Sequence, residues 1–178
     1  MKTLKLTDKD FKDVDGFKEY MGTENLQNFD GNIEVEAGVG HIRVTSIKVS
    51  GYLWIKAGYS IKAGDSIKAG NWIEAGDSIE AGDWIKAGDS IKAIRGGINA
   101  GLSITCKGLL KFKLKLFAGI SPYSWNENCS KTVTCGKLDG NVVYGTVIET
   151  GLNKDVTVEK ETIELNGKKY QLVEEEQP

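Results

Sequence analysis

A six-residue unit, I-K/E-A-G-D/N-S/W, repeats through the middle third of the chain and limits what that segment can fold into. Ile55, Ile61, Ile67, Ile73, Ile79, Ile85 and Ile91 follow one another without a slip. Each is followed two residues later by Ala57, Ala63, Ala69, Ala75, Ala81, Ala87 or Ala93. In a strand, positions i and i+2 share a face, so Ile and Ala point one way together. The residues between them, Lys56, Lys62, Lys68, Glu74, Glu80, Lys86 and Lys92, point the other way into solvent. After each of the first six alanines comes a Gly, usually followed by Asp or Asn, as at Asp65, Asn71, Asp77, Asp83 and Asp89. That pair reads as a corner, with Gly supplying unusual backbone angles and Asp bonding the turning backbone. A three-residue strand plus a corner is too short for a hairpin or a crossover helix. Stacked coils are the arrangement left that pairs the backbone groups.

Beyond Ile91 the phase shifts by one through Arg95-Gly96-Gly97 and resumes at Ile98, Ile104, Leu110 and Leu116. Upstream, Val35-Glu36-Ala37-Gly38, Ile42-Arg43-Val44 and Ile47-Lys48-Val49 read as degenerate units. The expected fold is therefore mainly β, a single-stranded β-solenoid with short coils over residues 33–121. The outward charges indicate how many units close a coil. With three units, Glu74 lies between Lys56 and Lys92 and Lys62 meets Glu80, while only Lys68 over Lys86 repeats a sign. With two units, Lys56 meets Lys68 directly. Opposite charges on neighbouring strands are favoured by a few tenths of a kcal/mol, up to about 1, which favours three over two without deciding between them. The same register would stack Trp54 on Trp72 and place Trp84 on another face.

The flanks differ from the repeat. Thr7-Asp8-Lys9-Asp10 can form a capping box, and Phe11, Val14, Phe17 and Met21 recur at helical spacing, so residues 1–32 are expected to form a helical cap, with a helix over about 8–21 ending at Gly22. Residues 122–178 begin with a loop. Short β-branched runs at Val142–Tyr144, Thr146–Ile148 and Val156–Val158, and an Asn166-Gly167 hairpin signal, then predict a small antiparallel sheet with a flexible acidic tail.

Composition narrows the function classes. The chain has 23 Lys+Arg against 25 Asp+Glu, a net charge of −2, so direct nucleic-acid binding is not favoured. Residues 55–92 are likewise near neutral, which makes a poor imitation of a DNA polyanion. No apolar run approaches a membrane span and the N-terminus lacks the apolar region of a signal peptide, so a soluble cytoplasmic protein is expected. Cys106, Cys129 and Cys135 match no standard zinc or redox spacing and read as reduced, packed thiols.

The frame Ala63-Gly64-Asp65-Ser66-Ile67 resembles the hexapeptide-repeat, left-handed β-helix family over about half the chain. Here the small residue precedes Gly and the large aliphatic comes later, the reverse of that family's usual order. The runs SIKAGD and WIEAGD are also similar, more loosely, to low-divergence solenoid repeats of phage and mobile-element accessory proteins. The family's enzymes are acyltransferases that use a His base between coils or subunits. His41 is the one His here, at an irregular coil, and it has no second group to form an acid–base set. The Asp corners lack the Gly-Gly-x-Gly-x-Asp spacing of calcium-binding solenoids, and a Lys, Glu and Ser surface lacks the Thr ladder of an ice-binding face. No cofactor or metal site is expected.

The sequence thus points to a non-enzymatic macromolecule-binding protein with a protein partner. By the phage resemblance, that partner is a host nuclease or ribonucleoprotein complex, blocked in the host cytoplasm in the manner of an anti-CRISPR inhibitor. A hexapeptide-repeat transferase or ligand-binding enzyme, and a structural or polymer-forming solenoid, are the alternatives. The candidate contact residues are Trp54, Trp72 and Trp84 with Lys68 and Lys86, because exposed aromatics dominate binding hot spots. Lys111, Lys113 and Lys115 join them, although a charged last strand also serves to block end-to-end association.

Overall fold

The Ile-x-Ala triplets form three-residue strands in the computed structural model, which describes residues 1–56, 58–120 and 131–151 and the backbone of 162–165 and 168–171. The first strands are β1 (Thr3–Leu6), β2 (Phe11–Val14), β3 (Phe17–Tyr20), β4 (Asn32–Val35), β5 (Ile42–Val44), β6 (Ile47–Val49) and β7 (Leu53–Ile55). The regular repeat supplies β8 (Ile61–Ala63), β9 (Ile67–Ala69), β10 (Ile73–Ala75), β11 (Ile79–Ala81), β12 (Trp84–Ala87) and β13 (Ile91–Ala93). Then come β14 (Ile98–Ala100), β15 (Ser103–Thr105), β16 (Leu109–Ala118), β17 (Thr132–Cys135), β18 (Lys137–Tyr144) and β19 (Thr146–Glu149). The backbone of β20 (Thr162–Leu165) and β21 (Lys168–Gln171) forms an antiparallel pair.

From β4 to β13 each strand pairs in parallel with the strand three places on, so the chain advances around three faces. Ile73 pairs with Ile91, Ile61 with Ile79 and Ile67 with Ile85, so each isoleucine meets the third one after it and three repeat units close a coil. Face one holds β1, β4, β7, β10 and β13, and face two β3, β5, β8, β11 and β14. Face three is a separate six-stranded sheet of β6, β9, β12, β15, β17 and β19. The long strand β16 turns the corner between the first two faces, pairing Leu110 with Ile91 and Leu116 with Ile98. Those faces therefore belong to one curled sheet. Strands β16 and β18 extend face one to seven layers, which at about 4.8 Å apart span about 30 Å.

The interior is a set of aliphatic ladders. Ile55, Ile61, Ile67, Ile73, Ile79, Ile85 and Ile91 are all fully buried, and the described alanines that share their face are at most 6% exposed. Each such isoleucine contributes about 1.5–3 kcal/mol of transfer free energy. Backbone bonds between coils hold the corners, and of the repeat's Asp side chains Asp77 adds one bond, accepting from the Ser60 hydroxyl at 3.2 Å. The N–H of Asp83 donates to Asp65 O at 2.8 Å and that of Asp89 to Asn71 O at 2.7 Å. Nor do the repeat glycines need unusual angles, because φ is positive at Gly58 but not at Gly64, Gly70, Gly82 or Gly88. Their requirement is space. A Cβ on Gly82 or Gly88 would collide with the carbonyl oxygen of Gly64 or Gly70 in the coil before.

Both flanks depart from expectation. The described residues contain no α-helix, and the proposed helix over 8–21 is a hairpin. The capping box does form, with Thr7 N–H donating to Asp10 Oδ2 at 2.7 Å, but it opens a single 3-10 turn, Asp8–Asp10. The chain then reverses at Asp15 and Gly16, with φ of 50° and 80°, and pairs Phe11 with Tyr20 and Val14 with Phe17. Strand β3 lies parallel to β5 and so closes the first coil. At the other end, β17, β18 and β19 are not an antiparallel sheet. They pair in parallel with β15, β16 and β17, carrying the coils through Glu149, well past residue 121. Among the described residues there, antiparallel pairing is confined to β20 and β21. The run Val156–Val158 and the acidic tail lie outside the described residues.

Candidate functional site

The three faces carry the same repeat but different charge. On face one the outward residues Glu34, Trp54, Glu74, Lys92, Lys111 and Asp139 succeed one another in register. Lys92 reaches Glu74 at 3.8 Å and Lys111 reaches Asp139 at 2.6 Å, and Lys111 holds that carboxyl below its ordinary range. On face two, Arg43 lies 3.8 Å from Glu19 and Lys62 lies 3.2 Å from Glu80. Each face has one like-charge step, Lys92 beside Lys111 and Arg43 beside Lys62, and each of those four cations has a carboxylate of its own within ion-pair distance.

Face three is the exception. Lys48 on β6 pairs in register with Lys68 on β9, and Lys68 with Lys86 on β12. All three side chains are exposed, and among the described residues no carboxylate reaches any of them within ion-pair distance. Trp84 opens β12 and is 42% exposed, with the Lys68 ammonium 5.8 Å from its ring centre. The next coil presents Ser103 and Thr105 in the same register as Trp84 and Lys86. The surface is thus flat and cationic, with one large aromatic. Two of its parts, Lys68 beside Lys86 and Trp84, were legible in the repeat. Lys48 was not, because Ile47 and its partner Ile67 stand farther apart in the chain than three regular units would place them, which hides the third member.

Trp54 and Trp72 lie elsewhere and do not stack on each other. Leu53 pairs with Ile73, another step longer than a regular coil, so Tyr52 and not Trp54 occupies the position beneath Trp72. Tyr52 and Trp72 are parallel within 4° with ring centres 4.5 Å apart, and Trp54 meets Trp72 edge-on at 6.4 Å. The Tyr52 hydroxyl donates to Glu34 Oε1 at 2.6 Å, and the Lys56 ammonium lies 5.3 Å from the Trp54 ring centre. The Tyr52–Trp72 stack lies at the corner where face three passes into face one.

Lys113 and Lys115 project from the bend of β16 beside Leu114, which is 60% exposed. Together with Glu80, Asn99 and Phe117 they border an open groove of about 560 Å³. The Oδ1 atom of Asn99 is buried there without a hydrogen-bond partner among the described residues. Lys111, on the flat part of β16, belongs to the face-one ion pair instead. The candidate lysines of β16 are therefore divided between two surfaces.

His41 is exposed. Its Nδ1 accepts the Ser60 N–H at 3.3 Å and its ring meets Tyr59 edge-on at 5.9 Å. Cys106 and Cys135 are buried free thiols in successive coils of face three, and burial pushes the Cys106 thiol up to about 12. Cys129 lies outside the described residues. Among the described residues, no group of three or more His, Cys, Asp or Glu side chains is placed to hold a metal ion, and no helix is long and apolar enough to cross a membrane. Comparison of the chain with protein-family models, with curated proteins and with solved structures finds no match.

Proposed function

We propose that the protein is a non-enzymatic binding protein, a rigid β-solenoid of hexapeptide-like units whose third face docks onto an acidic surface of a protein partner. The observation that carries this reading is the uninterrupted column Lys48–Lys68–Lys86 beside exposed Trp84. Like charges directly opposite on neighbouring strands are unfavourable; on the other two faces each cation of such a pair has a carboxylate within ion-pair distance, and among the described residues none of the three lysines of face three has one. A local rule broken without a compensating carboxylate marks a functional position. A partner's carboxylates would supply the missing counter-charges, and Trp84 would supply a desolvated anchor.

The resemblance to phage accessory repeats supports a narrower form, in which the partner is a host defence nuclease or ribonucleoprotein complex blocked by contact. The test begins with capture of partners from host lysate at low salt and identification of the bound protein. Its affinity is then measured for the parent, for Trp84→Ala and for Lys68→Glu/Lys86→Glu. Each variant is expected to weaken binding at least about 10-fold, with the lysine variant losing most of the salt dependence. Unchanged affinity in both variants would overturn the assignment of face three.

A further inference from the structure

The aromatic stack at the corner between faces three and one stops one layer early. Tyr52, Trp72 and Ser90 hold the same position in successive coils, each just before a strand of face one. Tyr52 covers one side of the Trp72 ring at 4.5 Å, close to the spacing of about 4.8 Å between strands. A third ring would lie over Ser90, whose side chain is too short to fill that place. The space is a cavity of about 220 Å³ bordered by Trp72, Ile73, Glu74, Asp89, Ser90 and Lys92.

The cavity is rigid and its polar groups are few. Trp72 is fixed by the stacked Tyr52, whose hydroxyl is bonded to Glu34 and whose N–H donates to Asn32 Oδ1 at 3.1 Å. Edge contact from Trp54 completes the support. Of the charged groups, Lys92 is matched by Glu74 at 3.8 Å, while Asp89 is exposed and has no ion-pair partner among the described residues. Asp89 and Ser90 both border the cavity, and their Oδ1 and Oγ atoms lie close together, 2.5 Å and 3.0 Å from the place of a Cβ on Gly108 in the following coil.

A matching occupant is one ring thick, planar and cationic, with donors in its plane. We infer that this cavity receives an arginine side chain of a protein partner, its guanidinium stacked on the open side of Trp72 and donating to Asp89 and Ser90. Guanidinium combines aromatic stacking with fixed in-plane donors, which an ammonium does not. A nucleotide would bring its phosphate toward Asp89, and a neutral sugar or base would leave that charge unmatched. The inference goes beyond the lysine face and does not rest on it, since the site is complete within one corner.

The test uses NMR spectra of the full chain, with the Trp72 indole N–H assigned by its loss in Trp72→Phe. The probes are N-acetylarginine amide, N-acetyllysine amide, adenosine and methyl glucoside. The arginine probe is expected to shift the indole at millimolar concentration, with Asp89→Asn weakening it about three- to tenfold. Ser90→Tyr, which fills the place with the protein's own ring, is expected to abolish the shift and leave the core isoleucine signals in place. No shift with the arginine probe overturns the inference. So does an equal response to the lysine probe, a stronger response to adenosine or the glucoside, or an unchanged affinity in Asp89→Asn. Because no partner is present, the outcome is separate from that of the face-three variants.

Discussion

Replacing Lys68 by Glu should make the protein more stable, an unusual outcome for a charge reversal. Lys68 stands between Lys48 and Lys86 in register, so the change converts two like-charge contacts into two opposite ones. Each conversion is worth about 0.4–1 kcal/mol on the scale of cross-strand pairs, or about 1–2 kcal/mol together. Against this stands the lost contact between the Lys68 ammonium and the Trp84 ring, which at an exposed site contributes about 0.5–1 kcal/mol. The net gain is about 0.5–1 kcal/mol, which for a chain of this length raises Tm by about 1–4 °C. Thermal unfolding followed by circular dichroism at about 20 mM salt reads this directly. At about 1 M salt the Debye length falls to about 3 Å, shorter than the strand spacing, and most of the gain should vanish. The control is Glu80→Lys on face two, which turns the Lys62–Glu80 pair at 3.2 Å into a repulsion and should lower Tm by a similar amount. A lower or unchanged Tm for Lys68→Glu at low salt would refute the view that the column is held against its own electrostatics.

Two further outcomes follow from the coil interior. Gly88→Ala forces a methyl group into the Gly70 carbonyl and should destabilise by about 1–3 kcal/mol, whereas Gly64→Ala, whose Cβ would lie 3.4 Å from Thr45 O, should cost less; urea unfolding of the pair separates them. Cys106 should resist thiol reagents in the native protein at pH 8, because burial holds it protonated. Since its folded value is raised from 9.0 to about 12, the stability it contributes is complete below about pH 9 and is lost between there and about pH 12. Urea midpoints measured from pH 8 to 11 should fall, and less steeply in Cys106→Ala.

The repeat made the regular coils legible because seven units of one Ile-x-Ala pattern stack consistently on one another, and the charges of Lys62, Glu74, Glu80 and Lys92 favoured the three-unit register that the strand pairing shows. Where spacing changes, that logic fails. The lengthened steps from Ile47 to Ile67 and from Leu53 to Ile73 hid Lys48 and put Tyr52 beneath Trp72. After Ile104 the partner is Val133, far beyond one regular coil, so β17–β19 carry no periodic signal and their short β-branched runs resemble hairpin strands. At the N-terminus Phe11, Val14 and Phe17 suit a helical stripe and a hairpin equally well. Asp15-Gly16 is the strong two-residue turn signal that decides for the hairpin. Net charge concealed the candidate site, because neutrality of the whole chain is compatible with one cationic face.

The bend in β16 also bears on how the coils come apart. A stack in which each layer touches only its neighbours behaves as a one-dimensional lattice that can fray from its ends, one short strand at a time. Strand β16 bonds both β13 and β14, so it cannot leave one face without straining its hold on the other. It acts as a clasp. Fraying from the C-terminal end should stop there, and the amides of the coils beneath should exchange with solvent as one cooperative block.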